Sequence, residues 1–140
     1  MLILDDPTQG LDAVARRILF EELVTELADA GTTVLLTTHD LAGVESIAQK
    51  VGILGRCRLL VDEPLEDLKA RFRRLAFRSG DTEAWKGLKP ISVARQPWGT
   101  EVVIHDYSET DGECGASEVL PMSLEEIFTA VAESNEGGVS

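Results

Sequence analysis

Apolar residues at the start of the chain follow a strand, helix, strand order. Continuous apolar runs at residues 2–4 and within residues 32–38 predict two buried strands. Between them, an amphipathic helix is predicted by apolar residues at helical spacing, namely Phe20, Leu23, Val24 and Leu27. Gly31, after Ala30, is expected to end this helix. Since a helical crossover joins parallel strands, the order predicts a βαβ unit.

The middle of the chain predicts a short helix, a hairpin and a second helix. The short helix has one apolar face, made of Leu41, Val44, Ile47 and Ala48. Residues 51–54 and 57–61 form two runs joined at Gly55, which predicts a hairpin. Pro64 then suits the first turn of a helix. That helix is expected to bury Leu65, Leu68 and Phe72 and to carry the basic residues Lys69, Arg71, Arg73 and Arg74.

The last part of the chain predicts two strands and a capped helix. Residues 91–95 and 101–105 have strand patterns separated by a turn with Gly99, and the polar residues 108–117 are expected to form a loop. Ser123 and Glu126 form the capping box of a helix with apolar residues at Leu124, Ile127, Phe128 and Val131. Residues 81–88 have no clear pattern, and residues 135–140 are expected to be a frayed tail.

Composition narrows the class of protein. The sequence has 140 residues, and its hydrophobic content of 44% is enough for a packed core. Its 13 basic and 25 acidic residues give a net charge of -12, which argues against binding to nucleic acid. Cys57 and Cys114 are not at metal-ligand or redox spacing and fit a reducing compartment. The chain begins without a basic segment and has no apolar run near ~20 residues, so we expect neither a signal peptide nor direct membrane insertion.

Candidate chemistry lies at the ends of the first two strands. Asp5 and Asp6 end the first apolar run, and His39 follows the second. Because parallel strands share a carboxyl edge, we expect these side chains to converge. Paired carboxylates there suit a hard cation and a polarised water, although two acids before a proline would also fit a strand-ending turn.

The residues around these acids resemble a known family. Residues 2–12 resemble the Walker B motif and D-loop of ABC-type ATPases, with matches at Pro7, Thr8, Gly10, Leu11 and Asp12. The stretch departs from the family pattern at Asp6, where the family has Glu, and at Gln9, where it has Ser. Thr37-Thr38-His39-Asp40 resembles the family's switch-histidine loop.

The resemblance implies an α/β fold, with part of the parallel sheet of a P-loop NTPase of the ABC ATPase type and a small α+β C-terminal extension. Residues 1–74 are expected to be the C-terminal half of a nucleotide-binding domain. Residues 75–140 are expected to be an accessory domain, whose final helix resembles the extension of ABC exporters. The chain lacks the Gly-x-x-x-x-Gly-Lys-Ser/Thr loop, the Leu-Ser-Gly-Gly-Gln signature and the glutamine loop. We therefore expect a fragment, arising from truncation, a split gene or a start assigned too late, that does not bind ATP alone.

Site roles follow from the resemblance residue by residue. Asp5 is expected to hold Mg²⁺ through water, Asp6 to act on the attacking water, and His39 to sense the γ-phosphate of ATP. Gly10, Leu11 and Asp12 are expected to face a second ATPase subunit, and Asp12 also suits a helix N-cap. The shorter side chain of Asp6 predicts slower hydrolysis than Glu would give, whereas His105 has no motif and is expected to be structural or exposed.

The function implied is that of the ATP-binding and ATP-hydrolysing subunit of an export-type ABC transporter. Such a subunit would be cytoplasmic, bound to the inner face of the cell membrane through a permease subunit, and dimeric. One alternative is a non-catalytic remnant or a regulatory module that binds a complete ATPase or permease. Another is an ABC ATPase of DNA repair or the ribosome, against which the acidity and the exporter-like tail argue.

Overall fold

The computed structural model describes residues 1–28, 30–78, 84–108, 111 and 115–136. Within these residues it is a mixed α/β structure with two compact units, Met1–Ala48 and Gln49–Ser140. The predictions for Cys114, for residues 81–83 and for residues 137–140 lie outside the described residues, as do the side chain of Leu27 and half of the predicted loop at 108–117. No helix in the described part of the chain has the length and apolar character needed to cross a membrane.

The first unit contains the βαβ arrangement that the apolar pattern predicts. Strand β1 is Leu2–Asp5, and strand β2 is Val34–Thr37. They pair in parallel with Asp5 opposite Thr37, so their carboxyl ends lie side by side. Helix α1, Ala13–Glu22, continues as a π-helical segment at Leu23–Ala28, and helix α2 is Leu41–Glu45.

Helix α1 begins where the sequence predicts. The Asp12 side chain accepts hydrogen bonds from the amides of Val14 and Ala15, both at 2.9 Å, which satisfies two donors that the helix cannot pair internally. Phe20 and Leu23 are buried as predicted, whereas Val24 is 42% exposed. Val24 is therefore outside the buried face of this helix, although its spacing from Phe20 and Leu23 predicts it there.

The second unit begins with the predicted hairpin. Strands β3, Lys50–Gly55, and β4, Arg58–Pro64, pair antiparallel. Arg56 and Cys57 at the turn have φ values of 48° and 58°. Two left-handed residues give the turn a twist that suits the right-handed twist of the flanking strands.

The helix after the hairpin is shorter than expected. Helix α3 is Leu65–Arg71 and buries Leu65 and Leu68. Arg73 and Arg74, predicted on this helix, lie instead in strand β5, Arg73–Arg78. The local pattern was wrong here because β5 gains burial from its neighbours, with Leu75 and Phe77 almost fully enclosed. The proposed domain boundary at residue 75 falls inside β5 and remains a prediction.

The largest sheet in the described residues is antiparallel, so the parallel sheet of a P-loop NTPase, expected for the first part of the chain, is not confirmed beyond one strand pair. It contains β6, Pro90–Gln96, β7, Gly99–Ile104, and β8, Glu118–Pro121, in the order β6-β7-β5-β8. Strands β6 and β7 form the predicted hairpin, whereas β5 and β8 were not predicted. Within the described residues, parallel pairing is confined to β1 and β2.

One apolar cluster in the core of the second unit lies on one face of this sheet. It consists of Leu75, Phe77, Val102 and Ile104. Helix α4, Leu124–Glu136, begins with the predicted capping box. The Ser123 amide donates to Glu126 Oε2 at 2.8 Å, and the Glu126 amide donates to Ser123 Oγ at 3.3 Å. Buried Ile127 and Leu124 lie on the apolar side of the helix.

Candidate active site

Two carboxylates lie at the carboxyl end of β1. Asp5 is the last residue of the strand, and Asp6 follows it with a φ of 43°. Few side chains adopt this left-handed conformation, and aspartate is among those that tolerate it. The Asp6 amide donates to the Thr37 carbonyl oxygen at 2.9 Å, so the turn after β1 is attached to the end of β2.

The Thr37 hydroxyl connects the two acids. It donates to Asp5 Oδ1 at 2.5 Å and accepts from the Asp6 amide at 3.1 Å. Thr37 therefore orients the Asp5 carboxylate and holds the Asp6 backbone at the same time. No separate role was predicted for Thr37, although its position at the end of an apolar run was a usable signal.

His39 and Asp6 come together as the parallel-strand argument predicts. Nδ1 of His39 lies 3.0 Å from Oδ2 of Asp6. The Asp6 side chain is 26% exposed and that of His39 is 76% exposed, so the imidazole faces solvent while the carboxylate is partly enclosed. A carboxylate only accepts hydrogen bonds, and the contact therefore favours a proton on Nδ1.

Within the described part of the chain, the second oxygen of Asp6 has no hydrogen-bond partner. Oδ1 is buried and unpaired among the described residues. Buried polar atoms are normally paired, so an orphan oxygen points to a missing water or ligand. Among the described residues no three His, Cys, Asp or Glu side chains are arranged to hold a metal ion. Two carboxylates still fit Mg²⁺, because this ion is commonly held by one or two carboxylates, with water and phosphate oxygens.

The loop after Asp6 is folded by its own backbone. The Gln9 amide donates to the Asp6 carbonyl at 3.1 Å, and the Leu11 amide donates to the Thr8 carbonyl at 3.1 Å. Gly10 has a φ of 79°, which glycine adopts without the strain of a side chain. Thr8 is 5% exposed, whereas Gly10, Leu11 and Asp12 are exposed. The three residues predicted to face a second subunit are therefore accessible.

The loop carrying His39 is attached to its surroundings on both sides. The Asp40 amide donates to Thr38 Oγ1 at 3.0 Å, and Thr38 Oγ1 lies 3.5 Å from Thr8 Oγ1. Asp40 also accepts from the Gly43 amide at 3.2 Å and pairs with Arg16 of α1 at 3.4 Å. Arg16 was not predicted as a functional residue, since a pair formed between two helices leaves no local pattern.

A separate group of charged residues lies in the second unit. Arg71 contacts Glu63 at 2.6 Å and Asp106 at 3.0 Å, and His105 Nδ1 lies 2.7 Å from Asp106 Oδ2. Hydrogen bonds from Arg71 and then from His105 lower the pKa of Asp106. The His105 side chain is 43% exposed, and its contact is with the adjacent Asp106.

The capping box of α4 also perturbs a carboxyl group. The hydrogen bond from the Ser123 amide lowers the pKa of Glu126, burial acts in the opposite direction, and the hydrogen bond from Arg74 lowers it further. Arg74 Nη2 lies 2.5 Å from Glu126 Oε1. The start of α4 is therefore anchored to β5 through a carboxylate whose ionised form the fold favours.

No protein-family model matches the chain. Curated relatives do match it. The ABC transporter ATP-binding protein YtrB of Bacillus subtilis (strain 168) is 27% identical over 139 residues, which cover 93% of this chain and 47% of YtrB. The bacitracin transport ATP-binding protein BcrA of Bacillus licheniformis is 32% identical over 109 residues, covering 76% of this chain and 32% of BcrA.

A third relative is similar over a shorter region. The fluoroquinolones export ATP-binding protein Rv2688c of Mycobacterium tuberculosis (strain ATCC 25618 / H37Rv) is 40% identical over 76 residues, covering 53% of this chain and 25% of that protein. The chain thus spans between a quarter and about half of the length of these relatives. Together with the motifs at Asp5–Asp6 and His39, the matches identify this chain as a homologue of ABC transporter ATP-binding proteins.

Proposed function

We propose that this chain is part of the ATP-binding and ATP-hydrolysing subunit of an export-type ABC transporter. The contact between Asp6 and His39 carries the proposal, because it joins the two motifs that resemble the family. The names of two relatives, which specify fluoroquinolone export and bacitracin transport, support the transport assignment.

Asp5 is proposed to hold Mg²⁺ through water, with its carboxylate oriented by Thr37. The bound ion would neutralise charge on the phosphate oxygens of ATP. Asp6 is proposed as the general base, which orients the attacking water and accepts its proton; the unpaired Oδ1 supports this role. The exposed imidazole of His39 is proposed to contact the γ-phosphate.

Gly10, Leu11 and Asp12 are proposed to contact a second ATPase subunit. Their exposure supports this role, and Asp12 combines it with capping α1. The proposed assembly also includes a membrane permease, which would hold the ATPase at the cytoplasmic face of the cell membrane. In this assembly residues 1–74 would belong to the nucleotide-binding domain and residues 75–140 to an accessory domain.

ATP binding is proposed for the complete nucleotide-binding domain. The 140 residues contain no phosphate-binding loop of the form Gly-x-x-x-x-Gly-Lys-Ser/Thr, which supplies backbone amides and a lysine to the phosphates. The match to YtrB covers 47% of that protein, which makes a chimaera the direct test. In it, this chain replaces the matched segment of YtrB.

The expected result is Mg²⁺-dependent ATP hydrolysis by the chimaera. Asp6→Asn and His39→Ala should each lower turnover by about 10²-fold or more while leaving nucleotide binding largely intact. Glu133→Gln, on the exposed side of α4, is the control and should leave turnover unchanged. A chimaera that binds ATP but hydrolyses it equally well with Asp6→Asn would contradict the assignment.

A regulatory module is the second candidate. The second unit has its own apolar core, made of Leu75, Phe77, Val102 and Ile104, which favours an independent binding role. In this alternative, the module binds a complete ATPase or permease without hydrolysing ATP. It would be supported if the chimaera is folded and inactive while the chain binds purified YtrB.

A further inference from the structure

Asp40, the residue after His39, makes contacts with three different parts of the first unit. Its amide donates to Thr38 Oγ1 at 3.0 Å, which closes the backbone around His39. Its Oδ1 accepts from the Gly43 amide at 3.2 Å and so caps α2. Its Oδ2 lies 3.4 Å from Nη1 of Arg16 on α1.

The Arg16 contact belongs to a larger attachment between α1 and α2. Arg16 and Phe20 are one helical turn apart on α1, and both reach the start of α2. Phe20 is buried, and its ring occupies the space where a side chain at Gly43 would lie. The ion pair and this close packing together hold the first turn of α2 against α1.

The burial and charge of Asp40 support a specific ion pair between Asp40 and Arg16. The Asp40 side chain is 16% exposed, and Arg16 is the cation that pairs with it among the described residues. The neighbouring Arg17 pairs with Glu21 on its own helix at 3.8 Å, with both side chains largely exposed. A partly enclosed carboxylate that both caps one helix and pairs with another restrains the backbone more than an exposed ion pair does.

Few contacts hold the His39 side chain in place in the described structure. Its side chain is 76% exposed, and within the described part of the chain it contacts Asp6 at 3.0 Å. The position of the imidazole therefore depends on the backbone between Thr38 and Asp40, which the contacts of Asp40 restrain.

We propose that Asp40 is a positioning residue for His39: by capping α2 and pairing with Arg16 of α1, it holds the imidazole beside Asp6. The consequence for ATP hydrolysis rests on the proposed function. The positioning of His39 is independent of the proposed function, because the His39–Asp6 contact can be measured in the 140-residue chain without nucleotide. The positioning role of Asp40 and the proposed ATPase function can therefore be rejected independently.

The first measurement is the tautomer of His39, read from long-range ¹H–¹⁵N NMR spectra of the full chain at about pH 8.5, well above the ordinary range of imidazole protonation. The chain has 2 histidines, so His105, which contacts Asp106, is an internal reference. The variants are Asp40→Ala, Asp40→Asn and Arg16→Met, with Arg17→Met as the matched control on the same helix.

In the unsubstituted chain His39 should carry its proton mainly on Nδ1. In Asp40→Ala the ratio of the Nδ1–H to the Nε2–H form should fall by about fivefold, the factor expected for the loss of one N-cap. Asp40→Asn keeps a capping oxygen but loses the charge that pairs with Arg16, so Asp40→Asn and Arg16→Met should each lower the ratio less than Asp40→Ala does. Arg17→Met should leave it unchanged. His105 should be unchanged throughout.

The proposal is overturned if folded Asp40→Ala keeps the unsubstituted ratio. If Asp40→Ala does not fold, an unchanged ratio in folded Arg16→Met overturns it instead. In the YtrB chimaera, Asp40→Ala should lower kcat while the KM for ATP stays within about twofold, and Asp40→Asn should retain more of kcat than Asp40→Ala does. A tautomer change with no ATPase activity in the parent chimaera would reject the proposed function and leave the positioning role supported.

Discussion

Nδ1 of His39 lies 3.0 Å from Oδ2 of Asp6, and this contact joins the ends of two parallel strands. It exists because β1 and β2 pair with Asp5 opposite Thr37, which brings the residues after each strand to one edge. The Thr37 hydroxyl strengthens the junction by contacting both Asp5 and the Asp6 amide. A shift of the register by one residue would separate the carboxylate from the imidazole.

The length of the side chain at position 6 should limit turnover. Glutamate would extend the carboxylate by about 1.5 Å, the length of one C–C bond, and misplacement of about 1 Å can cost on the order of 10²-fold in rate. In the YtrB chimaera we expect Asp6→Glu to raise kcat. The φ of 43° at this position tolerates aspartate better than glutamate, so the gain should come with slightly lower stability.

Steady-state ATPase assays and thermal melts of the chimaera check this prediction together. Asp6→Asn is the matched control, since it keeps the length and removes the charge, and it should be slower than the parent. If Asp6→Glu is folded, binds ATP and is no faster than the parent, side-chain length is not the limiting factor.

The 140-residue chain alone should not be stabilised by nucleotide. A ligand raises the melting temperature only when it binds the folded state, and the sequence has no phosphate-binding loop. Thermal melts with and without millimolar Mg-ATP should coincide, whereas the YtrB chimaera should melt at a higher temperature with Mg-ATP. A nucleotide-dependent rise for the chain alone would show an ATP site different from that of the family.

Gly43 should be intolerant of a side chain. A Cβ there would overlap Phe20 Cε2 and lie 3.1 Å from Asp40 Oδ2, so the buried Phe20 ring would have to shift. Alanine favours a helix by up to ~1 kcal/mol over glycine, but overpacking costs about 1–3 kcal/mol. We therefore expect Gly43→Ala to destabilise the first unit by up to roughly 2 kcal/mol.

Urea unfolding of the Gly43→Ala chain measures this loss. Gly87→Ala is the control, because a Cβ at Gly87 meets no other atom within 4 Å and its φ is not in the left-handed region. Combining Gly43→Ala with Phe20→Leu should restore part of the stability by opening space. Equal stability of the Gly43→Ala and unsubstituted chains would mean that α2 can move away from Phe20 freely.

Acid should destabilise the second unit through Glu126. Its pKa in the folded state is lowered, chiefly by the Ser123 amide and then by Arg74, so the folded state favours the ionised form. The resulting stability is present above the ordinary pKa of the group, 4.5, and is lost as the pH falls through the lower folded value. Asp106, whose pKa is also lowered, acts in the same direction.

The free energy of unfolding measured between neutral and acid pH checks this expectation. Glu126→Gln should be less stable at neutral pH and should lose less stability on acidification than the unsubstituted chain. Glu133→Gln, on the same helix and without an ion pair among the described residues, should follow the unsubstituted pH profile. Parallel profiles for the Glu126→Gln and unsubstituted chains would rule out Glu126 as a source of acid sensitivity.

The sequence by itself determined the elements whose signals are local. The apolar runs that became β1 and β2, the N-cap at Asp12 and the capping box at Ser123 each depend on neighbouring residues, and the structure contains all of them. The convergence of Asp6 and His39 was also predictable, since a βαβ unit places consecutive strand ends at one edge.

Tertiary structure decided the features that depend on distant partners. Arg73 and Arg74 lie in β5 and not in the predicted helix, because β5 pairs with β7 and β8. No sequence pattern within β5 indicates these partner strands. The attachments made by Thr37 and Asp40 arise in the same way, from side chains that meet across strands and helices. Local sequence therefore specifies where the acids and the imidazole lie along the chain, whereas long-range packing specifies how firmly they are held.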